Sequence, residues 1–208
     1  MKKLINMTIV ALTILSCQSQ TKTEDNKIVG GPCEGCEALH EYGDARLTNI
    51  DTLPKFEVSE PKLKVTGTVF QKDGKTAAEN VIVYIYHTNK NGIYETKGDE
   101  EGWAKRHGYI RGWIKTTSDG SYTFYTFRPG SYPNTTAPEH IHITVKEPST
   151  NAYYIDDIMF EDDKNLTEDF KNRLGNRAGP GVVLPKLKDG ILHVKRDIIL
   201  GKNIPDYA

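Results

Sequence analysis

Between Asp119 and Val145 the chain reads DGSYTFYTFRPGSYPNTTAPEHIHITV, and this stretch constrains the fold more than any other. Asp119-Gly120 is a turn signal, and the run after it is rich in the aromatic and β-branched residues that suit strands. A Pro-flanked turn then carries Tyr132. Eight residues on, His140-Ile141-His142 opens a β-branched run. In a strand, residues two apart share a face, so His140 and His142 project together while Ile141 and Ile143 turn into the core. Two imidazoles side by side, with a phenol on a neighbouring turn, can coordinate a metal.

The surrounding chain has the same character. From Lys62, LKVTGTVF ends at the turn signal Lys72-Asp73-Gly74-Lys75. Residues 81–88 (VIVYIYHT) place Val81, Val83 and Ile85 on one face and Ile82, Tyr84 and Tyr86 on the other. Strands are expected near 109–117, 121–128 and 140–147, a short helix within 166–174, and a last strand over 190–200. Short strands with turn signals at close intervals imply an all-β fold, an antiparallel β-sandwich with long loops. The polar, glycine-containing segment 95–108 is a long excursion of the kind that often carries function. Internal repeats, a phosphate-binding glycine loop and a Gly-x-Ser-x-Gly motif are all missing from the 208 residues. With 27 basic against 28 acidic residues and no basic block, nucleic acid is not an expected partner.

The N-terminus differs from the rest. Lys2 and Lys3 precede an apolar run from Leu4 to Leu15, and Ser16 precedes Cys17. That order reads as an export signal over residues 1–16, too short for a stable membrane span. Leu15-Ser16-Cys17 resembles a lipobox, so Cys17 is the expected lipidated first residue, with plain secretion as the alternative. Residues 17–31 are expected to form a flexible tether and residues 32–208 the folded domain, with its core over 60–165. The expected product is an exported protein held to a bacterial envelope by a lipid anchor alone. Cys33 and Cys36 then lie in an oxidising compartment as a small structural disulfide or as two thiols. With no strand–helix context, they do not read as a redox-active pair.

Imidazole together with phenolate suits a hard trivalent ion such as Fe(III) better than a thiolate-seeking metal. Charge balance then favours a second phenolate, and Asn91-Gly92-Ile93-Tyr94 offers Tyr94 at the end of the strong strand. At this point the chain resembles the intradiol ring-cleavage dioxygenases, the catechol and protocatechuate 3,4-dioxygenase group. The likeness is carried by Gly67-Thr68-Val69, Asp73-Gly74-Lys75, Gly92-Ile93-Tyr94, Arg111-Gly112, the run Asp119–Pro133 and His140-Ile141-His142. It covers about residues 60–165.

The resemblance implies Fe(III) held by Tyr94, Tyr132, His140 and His142, with a catechol and O2 as substrates and a muconate-type dicarboxylic acid as product. It also implies that Tyr132 is the phenol displaced by substrate, helping to remove its protons, while Tyr94 is retained. The chain departs from the family at Ala137, where an arginine normally precedes Pro-Ala-His-Ile-His. Arg106, Arg111 and Arg128 are the candidates to replace that charge. Asp157 stands near where a glutamine is often found, and Tyr86-His87 stand where a tryptophan is usual. His87 and His107 are candidates to line the pocket, with packing as the blander role for each. Trp103 and Trp113 either wall the pocket or pack the core, and His40 and His193 read as structural. An exported iron- or catechol-binding sandwich without turnover is the second expectation, kept open by Ala137. A metal-free binding sandwich is the third.

Overall fold

The computed structural model describes residues 27–207. The expected signal segment, Cys17 and the tether up to residue 26 lie outside the described residues. Twelve strands follow one another: β1 (Ile50–Thr52), β2 (Lys62–Phe70), β3 (Ile82–Tyr86), β4 (Arg111–Lys115), β5 (Ser121–Phe127), β6 (His140–Lys146), β7 (Tyr153–Tyr154), β8 (Ile158–Phe160), β9 (Val182–Val183), β10 (Lys186–Lys188), β11 (Ile191–Lys195) and β12 (Ile198–Ile199). Two one-turn helices, α1 (Ala104–His107) and α2 (Glu168–Lys171), and a 3-10 turn at Cys36–His40 complete the set.

The strands form two sheets. One runs β1-β5-β2-β11-β10 with β12 beside β2, and the other runs β4-β3-β6-β8-β9 with β7 beside β6. The all-β sandwich read from the sequence is what forms. Its central pairs are antiparallel, while β1 joins β5, β9 joins β8, and β11 and β12 join β2 in parallel. Val65, Val83, Ile85, Phe124, Ile141 and Ile143 fill the space between the sheets.

The register of β6 is set by Ile141 and Ile143, both buried, each contributing about 1.5–3 kcal/mol of transfer free energy. Slipping β6 by one residue would expose both and bury two imidazoles instead. Core packing therefore fixes the face on which His140 and His142 emerge.

The sheet carrying β3 is covered on its outer side as well. The 3-10 turn lays Ala38 and Leu39 against Tyr84, with Tyr86, Trp103 and Trp113 packed around them. Trp113 Nε1 donates to the Ala38 carbonyl at 3.1 Å, so this tryptophan takes the packing role.

Two boundaries differ from those expected. Lys27–Gly31, read as tether, pack on the domain: Val29 is fully buried, Lys27 bridges Thr150, and Gly30 N–H donates to the Pro205 carbonyl. One apolar residue with a waiting pocket is enough to order a polar segment. The expected strand over 190–200 is cut between β11 and β12. There Asp197 Oδ1 accepts the Thr68 N–H at 2.9 Å in place of a ladder carbonyl. The Arg196 side chain turns inward, where its guanidinium donates to the carbonyls of Arg177, Ala178 and Asp197.

Candidate metal centre

Two loops and one strand build the site. Tyr94 follows β3 through a tight turn in which Asn89 Oδ1 accepts the N–H groups of Asn91 and Ile93. Gly92 sits in that turn at φ 76°, and a Cβ there would lie 1.9 Å from the Ser131 carbonyl oxygen. A Cβ on Gly130 would lie 2.2 Å from the Lys90 carbonyl oxygen. The two glycines let the Tyr94 and Tyr132 loops touch backbone to backbone, locked by Gly130 N–H donating to the Asn89 carbonyl and Thr88 Oγ1 to the Gly130 carbonyl. The far side of the Tyr132 loop is held by Asp163 Oδ2, which accepts the Glu139 N–H at 2.6 Å.

The four side chains singled out in the sequence converge. Tyr94 Oη contacts Tyr132 Oη directly and lies 2.7 Å from His142 Nε2. Tyr132 Oη is 3.1 Å from both His140 Nε2 and His142 Nε2. The two Nε2 atoms are 3.2 Å apart. Each ring is oriented from behind. His140 Nδ1 faces the Pro138 carbonyl at 2.7 Å and His142 Nδ1 faces Asp157 Oδ1 at 3.2 Å. Since a carbonyl and a carboxylate only accept, both Nδ1 atoms carry the proton, and both Nε2 atoms present lone pairs to the centre.

Two lone pairs 3.2 Å apart cannot hydrogen-bond to each other, and two phenols aimed at the same point supply too few protons for the contacts made. A cation resolves this. Donor atoms with edges near 3 Å suit a first coordination shell whose bonds are about 2 Å long. Two phenol oxygens with two imidazole nitrogens form a set free of thiolate and hard at its oxygens, so the residues fit the ferric ion that the sequence pointed to.

The electrostatics agree. Burial, then the Tyr132 hydroxyl, push the Tyr94 phenol far above the ordinary tyrosine range, and burial raises Tyr132 as well. Burial, then the neighbouring His142 ring, lower His140. Burial alone would raise the Asp157 carboxyl, yet the His142 ring, by charge and hydrogen bond, holds it below its usual value. Without a cation the phenols stay protonated. A bound cation inverts that preference.

The centre opens into a cleft of about 260 Å³ walled by Tyr86, Trp103, Arg106 and His107, with Glu34 at its edge. Strand pairing puts Tyr86 opposite His142, and the two rings stack at 4.5 Å. His107 stacks on Tyr86 at 3.7 Å, and its Nδ1 lies 2.9 Å from Tyr84 Oη. Burial, then the His142 ring, push His107 down to about 4. The excursion over 95–108 therefore delivers one cleft wall.

His87 does not reach the cleft. It is a core residue, fully buried between Thr126 Oγ1 (2.6 Å) and the Thr88 carbonyl (2.7 Å). His40 is exposed, and His193 lies in β11 of the other sheet. Of the arginines considered, Arg111 is engaged by Glu41 and Arg128 by Glu139 and Asp162. Arg106 is paired with Glu34 and lines the cleft. Cys33 and Cys36 form a disulfide. Sequence reasoning did not place Cys33, Glu34 and Gly35 beside the site, where they line a second hollow of about 200 Å³ that shares Tyr86, His107 and His142 with the cleft. That proximity is long-range and has no local signal.

Comparison with known proteins gives a consistent result. The family model described as Dioxygenase matches residues 38–184. The protocatechuate 3,4-dioxygenase beta chain of Burkholderia cepacia is 28% identical over 114 residues, which span 52% of this chain and 48% of that relative. Among solved structures, the dioxygenase domain of a carbohydrate-binding protein fusion from Streptomyces sp. SirexAA-E superposes with TM-score 0.55 at 22% identity, covering 76% of this chain and 90% of that one. Catechol 1,2-dioxygenase of Acinetobacter radioresistens superposes at 0.53 with 18% identity, covering 74% and 58%. At such identities the structural likeness speaks to the fold alone, and the family match over most of the domain carries the assignment: this chain belongs to the intradiol dioxygenase family.

Proposed function

We propose that the protein is a non-haem Fe(III) dioxygenase that opens a catechol-type ring with O2, cutting between the two hydroxylated carbons to give a muconate-type dicarboxylic acid. The observation that carries this reading is the convergence of Tyr94 Oη, Tyr132 Oη, His140 Nε2 and His142 Nε2 on one centre, with both Nδ1 atoms occupied behind them. A ferric ion held there would supply Lewis acidity and a template for two vicinal hydroxyls. The chain does the rest. Tyr132 Oη, carried at the start of the exposed segment 133–136, is the base that takes a substrate hydroxyl proton. Tyr94, packed on Tyr86 at 5.7 Å, stays in place. Tyr86 and Trp103 orient the ring and exclude water from its face.

Ala137 supports a second reading, an iron- and catechol-binding protein without turnover, since no guanidinium stands at that position. In either case we place the protein outside the cytoplasm, anchored through Cys17. The Cys33–Cys36 disulfide supports an oxidising compartment.

The test is reconstitution with iron under mild oxidation. The expected result is one ferric ion per chain and a visible phenolate-to-iron absorption band that weakens in Tyr94→Phe and in Tyr132→Phe. A colourless protein, or a band indifferent to both substitutions, contradicts the assignment.

A further inference from the structure

Glu34 and Arg106 face each other across the mouth of the cleft, one from the disulfide loop and one from α1, and they form an ion pair. Their side chains are 72% and 65% exposed, so the pair adds little to stability. Both charges nevertheless stand on rigid platforms. Cys33 and Cys36 tie the loop on either side of Glu34, and the 3-10 turn that follows buries Ala38 and Leu39. Gly35 adopts φ 85°, and a Cβ there would lie 2.9 Å from His107 Nε2, so this loop can sit against the cleft wall only with glycine at that position. Opposite, the Arg106 guanidinium lies over the Trp103 ring at 5.3 Å.

We infer that the Glu34–Arg106 pair is a charge-balanced rim that sets substrate specificity, admitting catechols with uncharged ring substituents in preference to those bearing a carboxylate or an ammonium group. This rests on the reading of the centre as a catechol site. A carboxylate entering past the rim meets Glu34, and an ammonium group meets Arg106. Either must displace the existing partner before it gains one. Removing one member of the pair leaves the other free, and the preference should then acquire a sign.

The experiment is an anaerobic titration of the iron-loaded full chain, following the visible band, with catechol, 3,4-dihydroxybenzoate and dopamine as probes. The wild type should bind catechol best. Glu34→Gln should tighten 3,4-dihydroxybenzoate relative to catechol, and Arg106→Gln should tighten dopamine. Each shift should be roughly three- to tenfold, the size of one screened unit charge near the solvent boundary. The double variant should return toward the wild-type order. If catechol perturbs the band but all three dissociation constants move together or stay fixed in the single variants, the rim does not select by charge. If catechol fails to perturb the wild-type band, the reading of the centre fails and the inference falls with it.

Discussion

Asp157 Oδ1 sits 3.2 Å from His142 Nδ1, and the pairing of β6 with β8 is what brings the two together. Ile158, the residue after Asp157, lies opposite Ile141, the residue before His142. The carboxylate fixes the tautomer of the ring and raises the basicity of Nε2. Replacing Asp157 with Ala should weaken metal binding by about 10–100-fold without unfolding the sandwich. Competition against a chelator of known affinity measures it.

Gly92 is the position where the two tyrosine loops meet. A methyl group there would need the space of the Ser131 carbonyl oxygen, 1.9 Å away, in a backbone conformation that L residues rarely adopt. Gly92→Ala should cost about 1–3 kcal/mol of stability and separate Tyr94 from Tyr132. The expected signature is loss of the visible band in a protein that keeps its far-ultraviolet circular dichroism.

The Cys33–Cys36 disulfide closes a very short loop, so its effect on the unfolded chain is small, about 2 kcal/mol by loop-closure entropy. Its larger effect should be on the cleft, because it holds Glu34, which lines the cleft, and Gly35, which packs against the cleft wall at His107. Cys33→Ser with Cys36→Ser should raise the KM for catechol while kcat changes little. Steady-state kinetics on the double variant separate the two.

Burial pushes His87 down to about 4, against an ordinary value of 6.5. The unfolded chain therefore binds a proton that the folded core refuses, and the stability present above pH 6.5 is lost as pH falls toward 4. The shift corresponds to about 3 kcal/mol over that interval. Urea midpoints measured from pH 7 to pH 4 should fall, and a His87→Gln variant should show a shallower decline.

The sequence was informative where periodicity and chemistry coincide. The alternation through Val81–Tyr86 and His140–Val145 gave the strands and, with them, the face that carries both imidazoles. The match of Gly92-Ile93-Tyr94 and of the run up to Tyr132 supplied the phenols. Short edge elements were illegible for a physical reason: β1, β9 and β10 are two or three residues long, too short to show a period, and β1 and β9 are held by pairing to partners distant in sequence. Val29 and the Glu34 loop escaped notice likewise, since burial of one valine and a place at the cleft mouth arise only on folding. The choice among Arg106, Arg111 and Arg128 also had to wait, because carboxylates pair with all three and it is the fold that brings Arg106 to the cleft, through contacts no local pattern encodes.

Oxygen consumption by the iron-loaded protein with catechol, with the product identified by mass spectrometry, tests the central claim most directly. The account predicts one O2 consumed per catechol and a ring-opened dicarboxylic acid that holds both oxygen atoms. A quinone with peroxide, or no oxygen uptake by a protein that has bound both iron and catechol, would contradict it.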